Sequence, residues 1–104
     1  MRMTIWERIQ LGVVLATQKG VVGYIRKCIQ MIEKLELTEE EKREINYKEK
    51  DGMMLWDREL IVDIELTKKD IEFLIGVINN FQDWPSDRRV LTLVEKFSQE
   101  EDKK

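Results

Sequence analysis

Apolar residues at helical spacing predict a first helix over residues 5–17, with Thr4 as its N-cap. One stripe along this helix is formed by Ile5, Ile9, Val13 and Ala16. Three more apolar residues widen the stripe beyond half of the helix circumference: Leu11, Val14 and Leu15. A helix with that much apolar surface is expected to be buried on two sides.

A further stripe predicts a second helix over residues 21–37, after a short turn that ends at Gly20. Gly20 is expected to close the first helix in the left-handed conformation that glycine tolerates best. The two helices would then form an antiparallel αα-hairpin. Thr38 and Glu41 have the spacing of a capping box, which predicts a short third helix that ends near Glu44.

The hydrophobic period then changes to two and predicts three strands, over residues 45–50, 53–56 and 60–66. Asp51-Gly52 between the first two strands is a strong signal for a two-residue hairpin turn, because that turn needs positive φ. We expect an antiparallel meander with one packed face and one solvated face.

Two helices are predicted after the strands. Thr67 and Asp70 form another N-cap pattern, and the apolar stripe behind them runs to Phe81. Pro85 is expected to break that helix, and Ser86 is expected to cap the last one.

This order of elements predicts an α+β fold, with an N-terminal αα-hairpin plus a short helix, a three-stranded antiparallel meander and two C-terminal helices. No linker rich in glycine or serine divides the chain, so a single domain is expected over residues 1–98. Residues 99–104 are polar and charged, and we expect them to form a disordered tail.

The composition narrows the chemistry that the chain can perform. Of its 104 residues, 42% are hydrophobic and 38% are charged, which is typical of a folded chain with a strongly solvated surface. It has no histidine and one cysteine, which excludes Ser-His-Asp and Cys-His catalysis and zinc sites built from those residue types. A lone thiol favours a reducing compartment, so we expect a cytoplasmic location, in the host cell for a viral protein. The longest early apolar run covers only residues 11–16, and no membrane partner is expected.

Charge is distributed unevenly along the chain. Residues 1–30 carry five basic side chains and one acidic one, residues 31–66 carry six and twelve, and residues 67–104 carry seven and eight. The net charge of -3 argues against nucleic acid as the main partner, since nucleic-acid-binding domains usually have a basic excess.

Aromatic and methionine side chains near the ends of predicted elements are candidates for contact with a protein partner. They are Trp6, Met53, Met54, Trp56 and Trp84. The alternative is that the tryptophans close the rims of the core, with each indole N–H on a carbonyl or on water.

A Gly-x-x-Gly sequence between the first two helices, with basic neighbours, is a candidate nucleic-acid site. Its residues are Lys19, Gly20, Gly23, Arg26 and Lys27. In KH domains such a loop clamps the nucleic-acid backbone, but here its central pair is apolar and no strand is predicted before the first helix. The alternative is that Gly20 ends a helix and Gly23 permits close packing.

No catalytic residue, metal site or cofactor is predicted. Asp63 and Glu65 share one face of the third predicted strand and could hold Mg²⁺, but two carboxylates are also typical of a solvated face. Cys28 lies beside an apolar stripe, where burial would raise the pKa of its thiol.

The chain resembles a group of small, mostly uncharacterised proteins encoded by phages and prophages. The segments that carry the resemblance are IQLGVVLA at residues 9–16, closed by QKG at 18–20; LELTEEE at 35–41, followed by a strand and a glycine turn that end in Trp56-Asp57; and LTLVEKF at 91–97. The resemblance implies an accessory protein of a mobile element that binds, and often inhibits, a protein of the infected cell.

We therefore expect a non-enzymatic accessory protein of viral origin that acts by protein–protein binding and modulates a host protein. Self-association is a further expectation, since the first helix has more apolar surface than one neighbour can cover. Two alternatives stay open: a nucleic-acid-binding module that uses the basic N-terminal third, and a carboxylate-dependent metal enzyme.

Overall fold

The computed structural model describes residues 1–102, with side chains through Glu100. The chain forms two compact units, Met1–Ile64 (unit 1) and Glu65–Lys104 (unit 2). The single domain expected over residues 1–98 stays a prediction. The described residues contain helices and two small antiparallel sheets, so the predicted α+β class is confirmed.

Unit 1 begins with a short strand and three helices: β1 (Arg2–Thr4), α1 (Ile5–Ala16), α2 (Val22–Leu35) and α3 (Glu39–Glu44). The predicted caps of α1 and α3 are confirmed. The Thr4 hydroxyl accepts a hydrogen bond from the backbone N–H of Glu7, and the Glu7 carboxylate accepts one from the N–H of Thr4. Thr38 and Glu41 form the same reciprocal pair at the start of α3.

Glu59 gives α1 a second cap from a distant part of the chain. Its carboxylate accepts hydrogen bonds from the backbone N–H groups of Ile5 and Trp6, the latter at 3.3 Å. These N–H groups have no partner within the helix, and a negative charge is favourable at this end of the helix dipole. The start of α1 is therefore completed only when residue 59 is in place.

The helical hairpin of α1 and α2 is antiparallel, because Arg8 near the start of α1 donates hydrogen bonds to the carbonyls of Leu35 and Glu36 at the end of α2. The predicted left-handed conformation of Gly20 is wrong, since Gly52 is the glycine with positive φ among the described residues. A Cβ at Gly20 would lie 3.0 Å from Cδ2 of Tyr24, so a larger residue here requires the Tyr24 ring to shift by a few tenths of an ångström.

The predicted hairpin is confirmed as β2 (Lys48–Lys50) and β3 (Met53–Leu55), with φ of 54° at Asp51 and 76° at Gly52. All six strand residues are exposed, so the expected packed face of this sheet is absent from the hairpin. Strands of three residues offer too little surface on one face to build a core of their own.

The third strand does not extend the hairpin, and the predicted meander is wrong in this pairing. β4 (Ile61–Asp63) pairs antiparallel with β1 in a separate sheet, where Met3 lies opposite Val62. A three-residue strand at the start of the chain shows no alternation that could reveal it. Its partner lies about sixty residues away, beyond the reach of any local pattern.

α3 ends in a Schellman motif, so the first hairpin strand begins later than residue 45. Asn46 has a φ of 53°, and the N–H of Tyr47 donates to the carbonyl of Lys42 at 2.8 Å. The N–H of Asn46 donates to the carbonyl of Arg43 at 3.3 Å. Ile45 is fully buried and anchors the base of the hairpin.

Unit 2 consists of α4 (Lys68–Asn80) and α5 (Arg88–Asp102), which pack against each other. The capping box of Thr67 and Asp70 is confirmed at the start of α4. The buried apolar side chains of this unit are Leu74, Val77, Ile78, Val90, Leu93 and Phe97.

The prediction that Ser86 caps α5 is wrong by one residue. Asp87 Oδ1 accepts a hydrogen bond from the backbone N–H of Arg89 at 2.9 Å, and side-chain hydrogen bonds from Arg89 lower the pKa of this carboxyl to about 2. A carboxylate is favoured over a hydroxyl here because it also meets a guanidinium. α5 continues through Asp102, where a disordered tail over 99–104 is expected, and residues 103–104 lie outside the described part.

Candidate functional site

An open groove of about 470 Å³ runs along the α1–α2 hairpin in unit 1 and is the candidate functional site. Its lining comes from α1, from the second half of α2 and from the segments that follow α2. Most of the lining side chains are apolar: Ile9, Val13, Ala16, Ile32, Leu35, Leu37 and Met54. An open apolar concavity of this kind is a typical surface for recognition.

One face of α1 forms the floor of the groove. Ile9, Gly12, Val13 and Ala16 lie at i, i+3, i+4 and i+7, and 43% of the Val13 side chain is exposed. The prediction that α1 is buried on two sides is therefore wrong. Only the other apolar face is fully covered, and its residues are Leu11, Val14 and Leu15.

Gly12 has no side chain, so the middle of this floor is left open. A Cβ built at Gly12 would meet no atom within 4 Å, so any side chain there would extend into open space along the groove. Glycine in a helix interior costs about 1 kcal/mol relative to alanine, and no close packing in the free protein offsets that cost.

The wall opposite this floor is formed by the segment after α3 and by the β2–β3 hairpin. Tyr47 and Met54 both line the groove, and 38% of Met54 is exposed. The Lys42 ammonium lies 5.5 Å from the centroid of the Tyr47 ring. An aromatic ring beside a flexible thioether gives a contact surface that can adapt to different partners.

Arg8 is a buried cation that binds the end of the α1–α2 hairpin. The sequence analysis missed this role. Its Nε donates to the carbonyl of Leu35 at 3.0 Å, and its Nη2 donates to the carbonyl of Glu36 at 2.6 Å. The two Nη atoms also bind the Glu41 carboxylate, at 2.7 and 3.0 Å. The guanidinium thus joins the starts of α1 and α3 to the end of α2, and it holds one end of the groove in shape.

The contact with Arg8 makes stability depend on the ionisation of Glu41. Hydrogen bonds from the Arg8 guanidinium lower the pKa of the Glu41 carboxyl below its usual value. This pair therefore stabilises the fold above the unfolded pKa of about 4.3, and the stabilisation is lost as the pH falls through the lower folded pKa. We expect the urea midpoint of Glu41→Gln to fall less than that of the wild type between neutral and strongly acidic pH. Parallel curves for the two proteins would contradict this, and Glu40→Gln at an exposed neighbour serves as the control.

The structure places the candidate partner-binding residues in different environments. Met53 and Met54 are exposed, at 61% and 38%, and Met54 lines the groove. Trp56 is half-buried just after β3. Trp6 is only 8% exposed, so it belongs to the buried residues rather than to an open surface.

Trp84 lies in unit 2 and closes the end of α4. Its half-buried indole Nε1 donates to the carbonyl of Ile78 at 3.3 Å, and its ring meets Phe81 edge-on with centroids 5.1 Å apart. The carbonyl of Ile78 is one of the last four of the helix, which lack partners within the helix. This position agrees with the alternative in which a tryptophan closes the rim of the core.

The candidate nucleic-acid residues meet at the turn between α1 and α2. Lys19 and Arg26 are exposed and Lys27 is half-buried. Gly23 has no atom within 4 Å of a built Cβ, so the expectation that it permits close packing is wrong. Contrary to expectation, a strand, β1, does precede the first helix.

The buried charged groups hold the fold together. Glu7 and Asp70 are buried and each closes a capping box.

The candidate Mg²⁺ ligands Asp63 and Glu65 are not on one strand. β4 ends at Asp63, which accepts a hydrogen bond from the Met1 amino group at 2.8 Å, while Glu65 lies beyond the strand. No group of three or more Cys, Asp or Glu residues in the described chain could hold a metal ion.

Cys28 is 2% exposed, and burial raises the pKa of its thiol, as predicted from the sequence. The Cys28 thiol is hydrogen-bonded to the Tyr24 hydroxyl, which donates its own proton to Gln18 Oε1 at 2.7 Å. A buried thiol with a raised pKa behaves as a small hydrophobic side chain.

None of the helices over residues 1–102 has the length and apolar character needed to cross a membrane. Comparison of the chain with family models, with curated proteins and with solved structures finds no match. The resemblance to phage-encoded proteins therefore stays a prediction, and the groove on the α1–α2 hairpin is the strongest functional feature of unit 1.

Proposed function

We infer that this protein is a non-enzymatic accessory protein of viral origin that binds another protein through the groove and thereby modulates it. The observation that supports this proposal is the open face of α1. Ile9, Val13 and Ala16 form an apolar stripe along the groove, on which Val13 and Ala16 are exposed and Ile9 is half-buried. Apolar surface of this kind lowers its free energy when a partner excludes water from it.

The shape of the groove favours a helical or extended segment of the partner. Its floor is one face of α1. Its opposite wall contains Tyr47, just before the β2–β3 hairpin, and the exposed Met54 within that hairpin. An amphipathic helix that lies in such a groove places its anchors at i, i+3, i+4 and i+7, which matches the spacing on the floor. A second copy of this chain is one such partner, in line with the expected self-association.

Nucleic-acid binding is the second candidate function. It is supported by the exposed basic side chains of Lys19 and Arg26 at the turn between α1 and α2. Binding of that kind would weaken steeply as the salt concentration rises. It would also be indifferent to substitutions in the groove, which lies along the hairpin rather than at its turn.

The groove can be tested with two matched glycine substitutions. Gly12→Gln fills the middle of the groove, whereas Gly76→Gln places the same side chain on α4 in unit 2, where a Cβ would also meet no atom within 4 Å. Both variants are expected to fold, since glutamine is a better helix former than glycine by about half a kcal/mol. We expect a host protein captured by the wild type and by Gly76→Gln to be lost with Gly12→Gln.

Light scattering at high micromolar concentration separates the two kinds of partner. A dimer that dissociates on Gly12→Gln would identify a second copy as the occupant of the groove. A monomer, together with a captured protein that Gly12→Gln releases, would identify a different protein. Capture and oligomeric state that are both unchanged by Gly12→Gln would refute the proposal.

A further inference from the structure

We propose that the turn between α1 and α2 is a contact site for an anionic lipid surface. We name residues 19–27 the tip. Val21 and Val22 would enter the interfacial region of the bilayer, and the basic side chains beside them would meet the lipid phosphates. This site is separate from the groove, and it does not depend on the proposed protein-binding function.

The apolar part of the tip is the first observation. Val21 is 78% exposed and Val22 is 72% exposed, and both exceed the exposure of every other large apolar side chain in the described chain. They are consecutive and lie at the turn of a helical hairpin. Water-exposed neighbouring valines at a convex end are unfavourable in solution, and they become favourable when the headgroup layer covers them.

The charge around the valines is the second observation. Lys19 and Arg26 are exposed on either side of the pair, and Lys27 adds a third cation. Between Glu7 and Glu33 the chain has no acidic residue. Cations next to an apolar protrusion are complementary to an anionic bilayer, where each basic side chain strengthens binding about fivefold.

The separation of charge along the α1–α2 hairpin would orient the protein on an anionic surface. Residues 33–44 carry six acidic and three basic side chains, and they begin in the last turns of α2. α2 has 14 residues, so its two ends are roughly 20 Å apart. An anionic surface therefore attracts the tip and repels the opposite end of the hairpin.

The exposed valines favour lipid over nucleic acid as the ligand of the tip. Surfaces that bind single-stranded nucleic acid combine cations with aromatic side chains on which bases stack. The aromatic residue of the tip, Tyr24, is half-buried, and its hydroxyl is hydrogen-bonded to Gln18. The expectation of no membrane partner rests on short apolar runs, whereas an interfacial contact needs only a few apolar side chains and cations.

The test is sedimentation of the full chain with two kinds of vesicle, one of pure phosphatidylcholine and one with an equal part of phosphatidylglycerol. We expect binding to the anionic vesicles only. The double variant Val21→Ser/Val22→Ser should weaken that binding on the order of tenfold. Lys19→Gln and Arg26→Gln should each weaken it about fivefold. Leu91→Ser is the matched control, because this side chain is 65% exposed on α5 in unit 2, and it should leave binding unchanged.

Two results would overturn the proposal. One is absence of wild-type binding to the anionic vesicles. The other is equal binding by the double valine variant, which would reduce the contact to non-specific charge attraction. A parallel titration with a single-stranded oligonucleotide covers the alternative ligand: binding that depends on Lys19 and Arg26 but not on the valines, without vesicle binding, would assign the tip to nucleic acid.

Discussion

Arg8→Ala is expected to lower the free energy of unfolding by about 3–5 kcal/mol. The substitution removes four hydrogen bonds from a buried guanidinium and leaves the Glu41 carboxylate without its cation. It also leaves the carbonyls of Leu35 and Glu36 without their side-chain donor at the end of α2. Urea unfolding followed by circular dichroism measures the change.

The control for Arg8→Ala is an exposed ion pair in the same unit. Arg58 and Glu44 are both more than half exposed, so Arg58→Ala should cost less than about 1 kcal/mol. The double variant Arg8→Met/Glu41→Leu should recover part of the loss, because no buried charge is then left alone, while the α3 capping box still lacks Glu41. Equal effects of Arg8→Ala and Arg58→Ala would show that the Arg8 cluster does not hold the end of the hairpin.

Phe97→Ala is expected to lower the free energy of unfolding by about 3–5 kcal/mol as well. Phe97 on α5 is 2% exposed and lies beside a small cavity of about 70 Å³, which it shares with Ile78 on α4. Removal of the ring would enlarge this cavity and remove apolar contacts between the two helices of unit 2. The same urea titration measures the loss.

The matched control for Phe97→Ala is on the same helix. Leu91 is 65% exposed, so Leu91→Ala should change the free energy of unfolding by no more than about 0.5 kcal/mol. A small effect of Phe97→Ala, close to that of Leu91→Ala, would mean that the α4–α5 pair does not rely on this ring for its packing.

Features with a short-range cause were predictable from the sequence. The N-caps at Thr4, Thr38 and Thr67 and the Asp51-Gly52 turn are all confirmed, because each depends on residues within three or four positions. The predicted cap of α5, Ser86, is one residue away from the observed cap, Asp87, and the cause is again local. Ser86 satisfies the cap preference by itself, but Asp87 also binds Arg89, and that second interaction decides between them.

Features with a long-range cause were not predictable. The pairing of β1 with β4 joins a strand that alternation predicts, within residues 60–66, to a segment at residues 2–4 that has no distinctive pattern. The open groove arises for the same reason. Periodicity shows that α1 has two apolar faces, but it does not show that one face is left uncovered.

The sequence contains one indication that Arg8 is buried. Arg8 lies three residues after Ile5 and three before Leu11, both fully buried, so its position falls within the buried face of α1. A lone cation at such a position needs several acceptors, and Glu41 and the end of α2 supply them. Where those acceptors would come from could not be read from the pattern.

The β1–β4 pairing gives unit 1 contacts of two different ranges, which bears on the order in which the unit folds. The capping boxes at Thr4 and Thr38 and the Schellman motif that ends α3 each depend on residues within a few positions of one another. The β1–β4 ladder and the Glu59 cap of α1, in contrast, each join segments more than fifty residues apart along the chain. Because loop-closure entropy opposes such distant contacts, we expect them to form late in folding and to slow the folding of the unit.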